Sequence, residues 1–522
     1  MTGQANIKEK NARLGRHAVI VGGGLSGLSS AFFLSQKASQ EHLPLKITVL
    51  EASNRFGGVL RTLTHEGLRM EAGADAFYAG LRKPAVKAER ACRSHWDSGQ
   101  NDATDLCREL GIEEEVVEAA PCFRRFFILK NKQCFPIPGL PDSFFDAARF
   151  LTDPRLSFFA KCRMLQEPFI PRRKEKEDES LASFIRRRLG QDFYREAVKP
   201  LVQSVYMGDP ETLSLRALFP RFEQAERIYG SLAGSFLKRA IEKKEESREE
   251  FFTLKHGLEG LIQALVRELE SCEDRLSGPR ERARTSTCEL RRLAPVRQCT
   301  YNAGWEISLK DGAVLRADIL CLAMNACDSS KLLSTAAPEL SRKLAGIRYD
   351  SIAAVNLIYK SDDMPTQGLV CEDRPSRPSE RAGSIGIPAP GFMAPMDGER
   401  FPFSSLKWLG KSADEKYLSM RAFISEAMLP GVFYEDDETL KQKILTFLSD
   451  FFGIGAKPLF MDVNRYPGAL PQYETGHLER VAEIEEKVLQ YPGLYLTGNG
   501  FRGFGITDCI RQAKIAVSTF QL

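Results

Sequence analysis

Gly22, Gly24 and Gly27 stand in the order G-x-G-x-x-G, immediately after a short apolar run from His17 to Val21. Leu25, Leu28, Phe32 and Leu34 then recur at near-helical spacing, and a second apolar run, "LKITVLE", ends in Glu51. Strand, glycine turn, helix, strand and terminal acid together form a dinucleotide-binding pattern. The glycines permit a tight turn and let a pyrophosphate approach the backbone, while the helix N-terminus offers unpaired N–H groups and a positive dipole. Leu25 and Ser26 open that helix and Ala52 follows the acid, so all three join the glycines as candidate cofactor contacts. Glu51 is placed to hold ribose hydroxyls.

The next residues distinguish among dinucleotides. "EASNRFGGVLRT" sets Arg55, Gly57 and Gly58 directly after the ribose acid, and this resembles the E-x(3)-R-x-G-G signature of the flavin-dependent amine oxidase superfamily. The resemblance implies FAD, with the second glycine turn running along it. "MEAGADAF" resembles the superfamily's E-x-G turn, which makes Gly73 a candidate flavin neighbour and leaves Glu71 open between a cofactor contact and a satisfied structural carboxylate. Arg61 matches an arginine that follows the double glycine, with a flavin or substrate contact and a surface salt bridge as its alternatives.

The chain around these motifs has 522 residues, enough for two or three domains, and 43% of them are hydrophobic. A net charge of +4 is close to balance and argues against a dedicated nucleic-acid binder. Twelve cysteines form no CxxC pair and six histidines form no cluster, so no zinc site is expected and the thiols read as reduced and mostly buried. "MTGQANIKEKNARLGRH" lacks the apolar core of a secretory signal, and no apolar run reaches about 18 residues. The expected location is cytoplasmic, with room for a peripheral membrane contact through an amphipathic face.

In the middle of the chain, "RRFFILKNKQCFPIP" reads as a hairpin with strands Phe126 to Leu129 and Phe135 to Ile137 around Asn131-Lys132. Helical spacing dominates from about 140 to 240. Its stretch "SFFDAARFLTDPRLSFFAKCRM" interleaves aromatic and basic residues, and reads either as core packing or as a membrane-surface patch. "SVYMGDPETLSLRALFP" is close to the Y-A-G-D-P-x-x-L-S motif of the protoporphyrinogen and coproporphyrinogen oxidase family. Tyr206, Gly208, Asp209, Pro210, Leu213 and Ser214 match it, and Met207 departs from it. Glu226, Gly230 and Ser231 resemble the motif that follows.

That resemblance implies a fold of the α/β class: a Rossmann-like FAD-binding domain interleaved with a mixed-sheet substrate domain and a helical insertion. The FAD-binding pieces are placed at 16–80, 245–330 and 480–522. The substrate domain takes 81–140 and 331–479, and a helical insertion takes 141–244, its aromatic–basic stretch open between core packing and a membrane-facing patch. It also implies that the backbone of Cys288 holds the FAD adenine. The implied reaction is oxidation of protoporphyrinogen IX to protoporphyrin IX in three two-electron steps with oxygen as acceptor. Coproporphyrinogen III oxidation, or another amine oxidase or desaturase activity, is the alternative, and a flavin-binding protein without turnover is a reading from a different class. No nucleophile–base pair is visible and the reaction needs none, since the flavin is the reactive centre. Arg125, beside the hairpin, is a candidate for a substrate propionate. His477, in a segment resembling the family's P-x-Y-x-x-G-H, reads as a packing or capping residue more readily than as a proton carrier.

Near the end, "LTGNGFRGFGITDCI" holds four glycines before a run whose Ile510, Ala513, Val517 and Phe520 share one helical face. Thr507 is the expected N-cap. In the family resembled, this helix N-terminus points at the flavin ring, which makes Gly498, Asn499, Gly505 and Ile506 candidate contacts.

Overall fold

A computed structural model describes residues 16–79, 102–119, 126–130, 133–137, 157–175, 177–241, 250–274, 286–364, 391–395, 401–411 and 416–520. Two compact units divide the chain: Met1–Glu118, Glu249–Arg348 and His477–Leu522 form one, and Ala119–Arg248 with Tyr349–Gly476 form the other.

The first unit is built on a five-stranded sheet. Its strands are β1 (Arg16–Val21), β2 (Leu45–Leu50), β3 (Ser286–Arg291), β4 (Ile319–Leu322) and β5 (Leu494–Leu496). They run in the order β3-β2-β1-β4-β5, with every pairing parallel. The inner strands β1, β2 and β4 are covered on both faces and read as continuous apolar runs, whereas the outermost β3, STCELR, does not. Helix α1 (Leu25–Gln40) follows β1, and α2 (Ile506–Thr519) packs against it. Ile510, Ala513 and Val517 of α2 join Leu28, Phe32 and Leu34 of α1 in one buried core. The register aligns Val21 with Leu50 and Leu322, Leu50 with Arg291, and Leu322 with Leu496. All five strands therefore end at one edge of the sheet, and the loops that leave that edge carry the glycine motifs.

The second unit has a seven-stranded sheet in the order Phe460–Gln472, Arg348–Lys360, Tyr417–Ser425, Ser405–Lys411, Gly391–Pro395, Phe126–Lys130, Gln133–Ile137. It is mixed, because Gly391–Pro395 pairs in parallel with Phe126–Lys130 while its other neighbour is antiparallel. Leu440, Ile444, Leu448 and Phe452 of the helix Asp437–Phe452 are buried against one face. A run of helices from Phe158–Leu165 to Leu232–Ile241 in the same unit includes a buried Arg188 paired with Glu167 and, at 3.4 Å, with Glu226.

The divisions fall at 118, 248, 348 and 476, whereas the sequence reading divides the chain at 80, 140, 244, 330 and 479. Ala103, Leu106 and Cys107 of the helix Asp102–Glu109 are buried in the first unit's core, which draws that helix away from the substrate side. Residues 331–348 belong to the first unit for a similar reason: the helix Pro338–Ala345 packs on the helix His477–Val488 and buries Leu340 and Leu344.

Candidate functional site

The three glycines after β1 have different tasks. Gly22 holds φ +110°, donates to the Leu50 carbonyl at 2.8 Å, and leaves only 2.5 Å between a would-be Cβ and the Ala323 oxygen. A Cβ on Gly27 would overlap the Gly22 carbonyl. These two let strand and helix pack. Gly24, the N-cap of α1, is different: its φ is an ordinary −76°, and a Cβ would meet nothing nearer than the Gly58 Cα at 3.9 Å. No neighbouring protein atom requires a glycine there, so the space it keeps clear over the helix N-terminus suits a ligand phosphate.

The second glycine turn closes onto the first. Gly57 donates to the Gly23 carbonyl at 2.8 Å, and Gly24 and Gly57 form an isolated parallel bridge. Gly57 and Gly58 have φ of +113° and +57°, conformations glycine adopts without cost to a side chain. Arg55 does not reach outward. Its guanidinium donates to the carbonyls of Phe56 (3.0 Å), Leu60 (3.2 Å) and Gly58, and so fixes the shape of this turn.

Glu51 stands at the end of β2, where its amide donates to the Arg291 carbonyl at 2.8 Å. One carboxylate oxygen accepts from Gly23 N–H and the other from Ser53 N–H, both at 2.8 Å. Each oxygen keeps lone-pair capacity for a ribose hydroxyl. Ala52, next in line, is exposed.

Other candidates sort themselves by their partners. Glu71 accepts from Leu258 N–H at 2.7 Å and from the Thr62 hydroxyl at 3.1 Å, which is the satisfied structural carboxylate of the two readings. A Cβ on Gly73 would run into the Val59 carbonyl, so this glycine allows two backbone segments to cross. Arg61 is exposed, and its guanidinium has no hydrogen-bond or ion-pair partner among the described residues. Cys288 lies on β3, an outermost strand of the sheet, below the level of the glycine turns. It is buried in mid-strand opposite Ile47, three residues before Arg291, the level at which Glu51 sits. Arg125 lies outside the described residues.

Gly498, with φ +132°, leaves the edge beside β4, where a Cβ would lie 3.2 Å from the Met324 oxygen. The half-buried Asn499 follows it. The loop then reaches α2, whose N-cap is Gly505 rather than Thr507. Ile506 is buried in the helix's first turn, and the Thr507 hydroxyl, already inside the helix, donates to the Tyr78 carbonyl at 2.6 Å. With no side chain at the N-cap, the Asp508 carboxylate reaches back to the Gly505 amide at 3.3 Å. Leu25 at the start of α1 lies in one buried cluster with Ile506 and Cys509 of α2, and the two helices pack along each other, so their N-termini are adjacent at this edge. Burial pushes the thiols of Cys321 and Cys509 up to about 12, which keeps both as unreactive packing groups. His477 is buried with Nε2 2.8 Å from the Phe501 carbonyl, an anchor for the glycine loop.

The segment that resembles Y-A-G-D-P-x-x-L-S is a junction within the second unit. Ser214 N–H donates to the Tyr473 carbonyl at 2.8 Å and Thr475 N–H to that of Thr212 at 2.8 Å. Ser214 caps the helix Leu215–Leu218 and donates to Asp178 at 2.6 Å. Met207, where the motif has a small residue, takes the left-handed conformation at φ +49°. Glu226 pairs with Arg187 at 2.7 Å and with Arg188. The motif residues are thus tied into structure.

The edge fits an FAD: a cleared helix N-terminus, a double-glycine turn beside it, an acid for the ribose, and a second helix N-terminus next to the first. No group of three or more metal-ligating side chains occurs among the described residues. Sequence reasoning passed over Asp508, Arg511 and Asp102, although an acid at the third helical position is a recognised cap signal.

The profile of a family described as flavin containing amine oxidoreductase matches residues 25–519. Coproporphyrinogen III oxidase of Bacillus subtilis is 27% identical over 518 residues, covering 96% of this chain and 97% of that protein. Human protoporphyrinogen oxidase is 28% identical over 527 residues, covering 97% and 98%. A crystal structure from Exiguobacterium sp. 255-15 superposes with a TM-score of 0.73 at 24% identity over 97% of this chain and 98% of its own, a likeness of fold.

Proposed function

The chain belongs to the flavin containing amine oxidoreductase family and its cofactor is FAD, and from that premise we propose that it oxidises a porphyrinogen to the porphyrin. The substrate in this reading is protoporphyrinogen IX, taken to protoporphyrin IX in three two-electron steps with molecular oxygen as the final acceptor, within haem and tetrapyrrole synthesis. Relatives named for this activity align along 97% of the chain, and that alignment is the observation that carries the reading. Coproporphyrinogen III is the second reading, because the Bacillus subtilis relative named for it aligns over a similar span.

Bound FAD supplies the two-electron acceptor, and the chemistry of hydride removal is the cofactor's own. The protein's share is positioning. Gly24 and Gly58 keep space clear for the phosphates, and Arg55 holds the turn that borders it. Glu51 presents its carboxylate to the ribose, and the first-turn amides of α2 lack intrahelical partners and so can face the flavin ring. Arg61, exposed and with no side-chain partner among the described residues, is the cation offered to a substrate or flavin anion.

A peripheral membrane contact of a cytoplasmic protein belongs to the same reading. Phe158, Phe159, Leu165 and Phe169 are 74%, 80%, 60% and 86% exposed within a few turns, beside Lys161 and Arg163. Apolar side chains this exposed, flanked by cations, suit an anionic lipid surface. No helix among the described residues is long and apolar enough to cross a membrane.

The test is turnover of both porphyrinogens by purified protein with FAD, followed by porphyrin fluorescence. Porphyrin from protoporphyrinogen IX supports the first reading, and porphyrin from coproporphyrinogen III alone replaces it with the second.

A further inference from the structure

Two of the glycines before α2 are explained by one carboxylate. Gly503 holds φ +104°, and a Cβ there would lie 2.5 Å from the Asp508 carboxyl carbon. A Cβ on Gly505 would lie 3.2 Å from an oxygen of the same carboxylate. The loop therefore wraps Asp508 in bare backbone at the mouth of the helix. Arg511, one turn on, bridges two acids: its Nη1 is 3.1 Å from Asp508 Oδ1 and its Nε 2.8 Å from Asp102 Oδ2. Asp102 comes from the separate helix Asp102–Glu109 and is buried, with Lys514 at 4.0 Å.

A helix that serves only to stabilise negative charge would do best with its N-terminal field unopposed. Here a carboxylate stands in the first turn, a cation partly offsets it, and a second carboxylate holds the cation in place. Burial pushes the Asp508 carboxyl above the usual carboxylate range, while Arg511 and the Gly505 amide pull it down.

We propose that Asp508 is a positioning residue whose charge, metered by Arg511 and Asp102, sets how strongly the α2 N-terminus favours the two-electron-reduced FAD. The carboxylate also takes the N-cap amide of Gly505, leaving the amides of Ile506 and Thr507 for the cofactor. The inference rests on FAD lying at this edge, and does not depend on which substrate is oxidised.

The test is the midpoint potential of bound FAD, measured by anaerobic reduction against a reference dye with no porphyrinogen present. Asp508→Asn keeps an oxygen for the Gly505 amide and removes the charge, so the ratio of reduced to oxidised flavin at fixed potential should rise about tenfold, equivalent to about +30 mV for a two-electron couple. Arg511→Gln leaves both acids unopposed and should move the ratio the other way. Asp102→Asn should follow Asp508→Asn by a smaller amount, and Arg511→Met, with the same expected direction as Arg511→Gln, serves if the latter does not fold. Opposite shifts of this kind support the proposal, because general loosening of the loop would move all variants alike. Potentials equal to wild type, shifts of one sign throughout, or loss of flavin from Asp508→Asn would overturn it. Wild-type protein that binds no FAD would overturn the cofactor assignment along with it, whereas failure to oxidise a porphyrinogen leaves this result untouched.

Discussion

Gly57 donates its amide to the carbonyl of Gly23 at 2.8 Å, so two glycine turns that are separate in sequence form one backbone surface. That surface is where the proposed cofactor site lies, and its glycines are of two kinds. Some permit protein atoms to approach one another, and Gly24 permits the approach of something else.

Gly24→Val should therefore fold and lose flavin, because its Cβ enters space that no protein atom fills. Gly27→Ala should lose stability first, since its Cβ would overlap the Gly22 carbonyl. Flavin absorbance per protein and the melting temperature of the apoprotein separate the two. A flavin-replete Gly24→Val protein would contradict the assignment.

Arg55→Met removes the donors that hold the Phe56, Gly58 and Leu60 carbonyls. Loosening that turn at a cost of about 1.4 kcal/mol would weaken FAD binding about tenfold. Reconstitution of apoprotein with FAD, followed by flavin fluorescence, measures it. Unchanged affinity would mean that the turn holds itself.

His17 bears on pH. Burial is the chief cause lowering its pKa below 6.5, while its ring meets the Arg316 carbonyl at 2.7 Å and the Thr48 hydroxyl at 2.9 Å. Below pH 6.5 the unfolded chain takes up the proton more readily than the folded one, so stability falls as pH drops through that value. Melting temperatures between pH 7.5 and 5.5 should decline less steeply in His17→Gln. Parallel slopes would remove His17 from the explanation.

Phe158→Ser combined with Phe169→Ser should abolish sedimentation with vesicles containing phosphatidylserine while leaving flavin content intact, because both rings are exposed. Equal binding by variant and wild type would place any membrane contact elsewhere.

Much of the first unit was legible in sequence because β1, α1 and β2 are adjacent along the chain and their periods are unbroken. The level of Cys288 was not, since the height of a residue along a parallel sheet depends on register with a strand more than 200 residues away. The buried face of the helix Asp102–Glu109 was visible as spacing, but nothing in that spacing says which core receives it. Thr507 has the better capping propensity, yet Gly505 takes the cap, and the Asp508 carboxylate accepts from its amide. The quoted motif around Gly208 pointed to a family, while its residues prove to be hydrogen-bonded into a junction of the second unit.

The most direct measurement of the central claim is anaerobic mixing of the FAD-loaded protein with protoporphyrinogen IX, and separately with coproporphyrinogen III, while flavin absorbance is recorded. Bleaching of the flavin by protoporphyrinogen IX, followed by porphyrin fluorescence when oxygen is admitted, is the expected result. A flavin that stays oxidised with both porphyrinogens would contradict it.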